Sequence, residues 1–254
     1  MLKLMKYEFR KTQATKLMIL AITAIAEVAF LIGLYGKHDT TAALSIAALV
    51  FLATFGILIV GLESIVTLHR DMNTKQSYML FMTPNSSYKI LGSKVLECSL
   101  SILIAGAFFF ALGTLDITLA FAKEVGLKSL WETIQDVLRN ISINGRPLEI
   151  NARALASFTF TLLTSWILTL TTAYLSIVIS AALLNGKRFN GFVSFIFFLL
   201  LNWGCTKVLR LATSHVPTST SVSIPLLVSC CVALVLSVIM YIITAQIMER
   251  KLSV

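Results

Sequence analysis

Charge is scarce in this sequence. Asp, Glu, Lys and Arg make up only 13% of its 254 residues, about half the share of an ordinary soluble domain. Hydrophobic residues make up 57%, more apolar surface than one core in water could hide at this length. Soluble enzymes, disordered chains and DNA-binding modules are therefore excluded. Proline is scarce as well. The four prolines, at 84, 147, 217 and 225, lie between apolar runs or at the start of one, so the runs can form unbroken helices. The four cysteines, Cys98, Cys205, Cys230 and Cys231, sit inside apolar runs and read as small packing residues, not as a disulfide framework. No G-x-x-x-x-G-K-[ST], H-E-x-x-H or C-x-x-C pattern occurs, and His38, His69 and His215 lie far apart. No catalytic residue, cofactor-binding residue or metal ligand is legible.

Long apolar runs are what the sequence does have. A membrane-crossing helix needs about 20 mostly apolar residues, and six stretches meet or approach that, at about 17–35, 42–66, 95–115, 154–184, 189–208 and 225–248. The first is longer than the apolar core of a signal peptide and reads as a retained span. The expected fold is an all-α integral membrane protein, a single transmembrane domain over 1–254 built as a six-helix bundle. With both termini on the cytoplasmic side, 13 of the 21 Lys and Arg residues fall in cytoplasmic segments, as the positive-inside rule requires. The net charge of +9 then faces lipid headgroups, which argues against a nucleic-acid partner and for membrane lipids.

Three segments lie outside the spans. In 1–16, Leu2, Met5 and Phe9 recur at helical spacing among basic residues, the pattern of an amphipathic helix lying in the membrane interface; a plain positive flank of the first span would look similar. In the outer segment 116–153, Leu127, Leu130, Trp131, Ile134, Val137, Leu138 and Ile141 mark one face of a helix, which could gate a substrate or simply cap the bundle.

The third segment, 67–94, carries most of the functional information. Asp71 is placed to cap a short helix over about 72–82, Met79, Phe81 and Met82 give that helix apolar anchors, and Thr83-Pro84 breaks it. Asn85 or Ser86 can cap the helix that continues through Lys94 into the third span. An exposed element with Met, Tyr and Phe suits a groove in a partner protein, although it could also pack on its own bundle.

The pattern Arg70-Asp71, Met79-Leu80, Thr83-Pro84, Ser86 and Lys94 resembles the first cytoplasmic loop of the permease subunits of ABC-2 type ABC exporters. The layout of the whole chain is also similar: a basic lead-in helix, six spans and termini inside. The sequence departs from the family pattern at Lys75-Gln76, where Gly-Thr is common, and at Ser87, where Arg often follows the serine. The resemblance implies a multi-pass protein of the bacterial plasma membrane and a coupling helix in this loop. It assigns ATPase contacts to Arg70, Asp71, Lys75, Tyr78, Met79, Phe81, Met82, Thr83, Pro84 and Ser86. It further implies separate ATPase subunits that bind ATP and Mg, and a second permease copy or a paralogue. The cargo would be an amphipathic or hydrophobic peptide, lipid or drug. A stand-alone six-span binding or immunity protein that works without ATP is the other reading.

Inside the spans, Glu27 is the conspicuous charge. A carboxylate at mid-membrane costs about 2.5–3.5 kcal/mol on insertion scales, so it lines a path, touches a cationic substrate or stitches helices together. Ser157, Thr161, Ser165, Thr169, Thr172, Ser176 and Ser180 form a hydroxyl stripe along the fourth span, either a tight helix seam or a polar wall. Glu27, Thr161, Ser165, Thr169, Thr172, Ser176 and Asn202 are the candidate path residues. Glu63 and Glu97 read as interfacial acids able to pair with Lys94, and Gly106 with Gly113 as a packing face.

Overall fold

A computed structural model describes residues 2–36, 39–73, 86–124, 142–143, 146–147, 152–184, 190–214 and 223–252. Among them are seven α-helices: α1 Leu2–Lys11, α2 Gln13–Tyr35, α3 Asp39–Asn73, α4 Ser87–Glu124, α5 Ala152–Leu184, α6 Asn190–Ser214 and α7 Ser223–Ile247. A π-helical turn, Met248–Leu252, follows α7, and two-residue strands β1 Ser142–Ile143 and β2 Arg146–Pro147 pair antiparallel. Helices α2 to α7 are each long and apolar enough to cross a membrane. The chain is a helical, multi-pass membrane protein, and helices are the fitting form because they satisfy their backbone polar groups internally. Large apolar side chains such as Ile25, Phe51, Phe110 and Phe192 are correspondingly exposed.

The helices outrun the apolar stretches. With 35 and 38 residues, α3 and α4 are each more than about 50 Å long at 1.5 Å per residue, against a hydrocarbon core of about 30 Å. Hydropathy falls where charges begin, but the helical backbone continues. Asp71 is thus an interior residue of α3 and does not cap a helix over 72–82; its carboxylate holds lysines instead, as described below. Residues 74–85, with the rest of that short helix, and the expected outer helix over 125–141 lie outside the described residues. The lead-in helix also differs from expectation. It ends at Lys11, and Thr12, only 3% exposed, marks a bend before α2. Glu8 of α1 is buried while Phe9 is 40% exposed, because an ionic partner draws Glu8 inward.

The chain divides into two compact units, one formed by Met1–Lys11, Gly61–Ser99 and Arg153–Val254, the other by Thr12–Val60 and Leu100–Ala152. At the centre of the first unit is α5. Of its apolar window 67% is buried, against 11–22% for the other five membrane-length helices. Leu168 packs with Cys205 of α6 and Ala233 of α7 in one apolar cluster. A Cβ on Gly61 of α3 would overlap the indole of Trp166 on α5, so only glycine permits this approach.

In the second unit, Phe30 and Leu34 of α2 pack with Leu49 of α3, flanked by Leu119 and Ala120 of α4. Gly33 passes so close to the start of α3 that a Cβ there would lie 2.7 Å from the Ala42 nitrogen. Lys16 Nζ donates to Ser101 Oγ at 2.6 Å. Gly106 and Gly113 form no close helix contact among the described residues of this chain, since a Cβ at either would meet no atom within 4 Å.

Candidate functional site: a buried charge cluster at the ends of α3 and α4

The last turns of α3 and the first turns of α4 bracket the segment 74–85, and a buried ionic cluster joins them. Lys94 of α4 is 1% exposed, Asp71 of α3 2% and Glu8 of α1 6%. Lys94 Nζ lies 2.8 Å from Asp71 Oδ2 and 2.9 Å from Glu8 Oε1. Lys11 Nζ takes the other oxygen of Asp71, at 2.5 Å. Two lysines thus face two carboxylates, and each charge buried here has a charged partner. That balance is what makes burial tolerable, since an unpaired ion would carry a desolvation penalty of several kcal/mol.

Local sequence explains the placement. On α1, Glu8 and Lys11 are three apart and so share a helix face. Glu97 stands in the same relation to Lys94 on α4 and is likewise buried. Ser86 precedes α4, and its carbonyl accepts the N–H groups of Lys89 and Ile90, closing the first turn. Neutral contacts continue the site into the bundle. Tyr174 of α5, fully buried, shares a 2.5 Å hydrogen bond with Ser64 of α3. Tyr241 of α7 donates to the Tyr88 carbonyl of α4 at 2.6 Å, and the two rings meet edge to face with centroids 6.3 Å apart. Three helices, α1, α5 and α7, are thus tied to α3 or α4 by polar contacts, and α3 and α4 are tied to each other.

Of the residues proposed for ATPase contact, Asp71 belongs to this cluster, Arg70 is exposed on α3, and Ser86 is exposed just before α4. Lys75, Tyr78, Met79, Phe81, Met82, Thr83 and Pro84 lie outside the described residues. Sequence reasoning placed Glu8 and Lys11 in an amphipathic interfacial helix and so missed their role. A signal was present: Glu8 is the one acid among five basic residues in 1–16, an odd placement for a merely cationic segment.

The hydroxyl stripe of α5 lies in the same unit. Thr172 and Ser176 are buried, Thr161 and Thr169 are half-buried, and Ser165 is exposed. Their hydroxyls fold back onto their own helix: Thr161 donates to the Ser157 carbonyl, Thr169 to Ser165, Thr172 to Thr169 and Ser176 to Ala173, all within 2.7–2.9 Å. Back-bonding of this kind masks the polarity and leaves small side chains that pack closely. It favours the seam over the polar wall for the buried half of the stripe. Asn202 of α6 is half-buried, and its carbonyl accepts from Thr206. Glu27 belongs to the second unit, where its side chain lies beside that of Asp116 on α4. Among the described residues no group of three or more His, Cys, Asp and Glu is arranged to hold a metal ion, and the four cysteines are free thiols. Comparison of the chain with known protein families, curated proteins and solved structures finds no match.

Proposed function

We propose that the chain is the transmembrane permease subunit of an ATP-driven exporter of the ABC-2 type. In this reading it spans the bacterial plasma membrane with both termini in the cytoplasm, and α1 lies in the inner interface. Separate ATPase subunits bind ATP and Mg and seat on the 70–86 region. A second copy or a paralogue completes the pore, and the cargo is an amphipathic or hydrophobic molecule.

One observation carries the reading. The segment with the motif resemblance springs from two helix ends that are locked to one another by Asp71 and Lys94 and to α1 by Glu8 and Lys11. A loop hung on frayed ends would absorb a push from an ATPase. A loop hung on a buried ionic joint passes the push into α3 and α4 together. The positive-inside charge pattern supports the orientation, and the absence of a P-loop motif from the sequence suits a division of labour with a separate ATPase.

The test is purification of the tagged chain from its native membrane in mild detergent, with mass spectrometry of what accompanies it. A stoichiometric P-loop ATPase is expected, and it should be lost when Met79 and Phe81 are both changed to Asp while the chain itself still accumulates. A chain that purifies alone and does not stimulate any candidate ATPase supplied to it would be a stand-alone membrane protein.

A further inference from the structure

In the second unit, α2, α3 and α4 line a partly open cavity of about 360 Å³. Its walls are apolar, with Phe30 from α2, Leu49 and Ala53 from α3, and Phe109 and Ile117 from α4. A single ionisable side chain lines it, Asp116. The Asp116 carboxyl lies beside that of Glu27 on α2. Each of the two still has an oxygen with nothing to accept. Asp116 Oδ1 and Glu27 Oε2 are both buried and have no hydrogen-bond partner among the described residues.

Buried acceptors of this kind are costly to leave unmet, and the pair next to an apolar chamber defines what would meet them. We infer that the cavity is a binding site for a small amphipathic amine, with its ammonium group on Asp116 and Glu27 and its hydrocarbon body against the apolar walls. A primary ammonium brings three donors and one positive charge, enough to meet both orphaned oxygens and a carboxylate charge. The volume lies near the lower end of the range for small-molecule sites. An inorganic cation fits less well, because hard cations such as Ca²⁺ and Mg²⁺ take six or more oxygens and the walls supply few. Binding is a property of this chain alone; only the further step, that a bound amine is the exported cargo, rests on the exporter reading.

The experiment uses the purified full chain in lipid nanodiscs, without any ATPase, and follows saturable binding of tritiated 4-phenylbutylamine. Unlabelled amine should displace the label, and the neutral isostere 4-phenylbutanol should not. Asp116→Asn should weaken binding at least tenfold. Gly113→Leu is the second variant. Gly113 lines the cavity, and a Cβ there meets no atom within 4 Å, so leucine should fill the chamber without disturbing the helix or the carboxyls. It too should weaken binding at least tenfold. Saturable binding that survives Gly113→Leu unchanged would overturn the assignment, as would a folded wild-type chain that binds no amine above empty nanodiscs. Displacement of the label by sodium chloride but not by choline chloride would assign the site to an inorganic cation instead. None of these outcomes depends on whether an ATPase co-purifies, so this inference and the exporter reading can fail separately.

Discussion

Changing Lys94 to Met is expected to destabilise the chain by about 3–5 kcal/mol, the range for breaking a buried ion pair from one side. The methionine nearly matches the lysine in bulk, so the loss is one of charge. Asp71 keeps Lys11, but Glu8 loses the partner that draws it inward. The double change Glu8→Gln with Lys94→Met should recover much of the loss, because the Glu8 charge no longer stands unpaired. Denaturant titration in detergent of the four members of this cycle gives the coupling directly. Single and double variants whose effects simply add would show that Glu8 and Lys94 do not hold α1 to α4. Lys94→Arg should fall between wild type and Lys94→Met, since the charge is kept while the rigid guanidinium fork must fit a space shaped for an ammonium.

The second large effect is expected at Gly61. Because any Cβ at this position would enter the ring of Trp166, even Gly61→Ala must push the indole or separate α3 from α5. Overpacking of a tight contact costs about 1–3 kcal/mol, and Gly61→Leu should exceed Gly61→Ala. The site has little slack, since Cys98 of α4 also reaches the Gly61 carbonyl, at 3.9 Å. Trp166→Ala opens the space that the new side chain needs, so the pair Gly61→Ala and Trp166→Ala should be more stable than the sum of the two single losses. Thermal unfolding followed by size-exclusion chromatography reads the comparison. Additive losses would mean that the contact is not the reason for glycine.

What was legible in the sequence depended on how local the cause was. The six long helices were readable because hydropathy over about 20 residues is a property of one segment. Their ends were not. Asp71 and Lys94 look like exits from the membrane, yet both remain helical and buried because they neutralise one another across a separation of 23 residues, and no window sees such a pair. The role of Glu8 was hidden for the same reason. Glu27 drew attention as a charge inside a span, but its partner Asp116 did not. Asp116 stands at the edge of an apolar run and was counted with an outer segment whose charges balance. The hydroxyl stripe of α5 was visible as a pattern, while the choice between wall and seam needed the hydrogen bonds, which run back along the helix itself.

The ionic joint also has a consequence in time. Asp71 follows Lys11 by 60 residues and Lys94 follows Asp71 by a further 23. At a synthesis rate of about 5–20 residues per second, Asp71 is made roughly 3–12 s after Lys11, and Lys94 roughly 1–5 s later still. Throughout that interval Glu8 has no lysine to meet in the interior and must stay in contact with water. Helix α1 is therefore unable to take its final place until α4 has begun to emerge. Insertion of the chain has a built-in order, with α1 waiting for α4 to deliver its lysine.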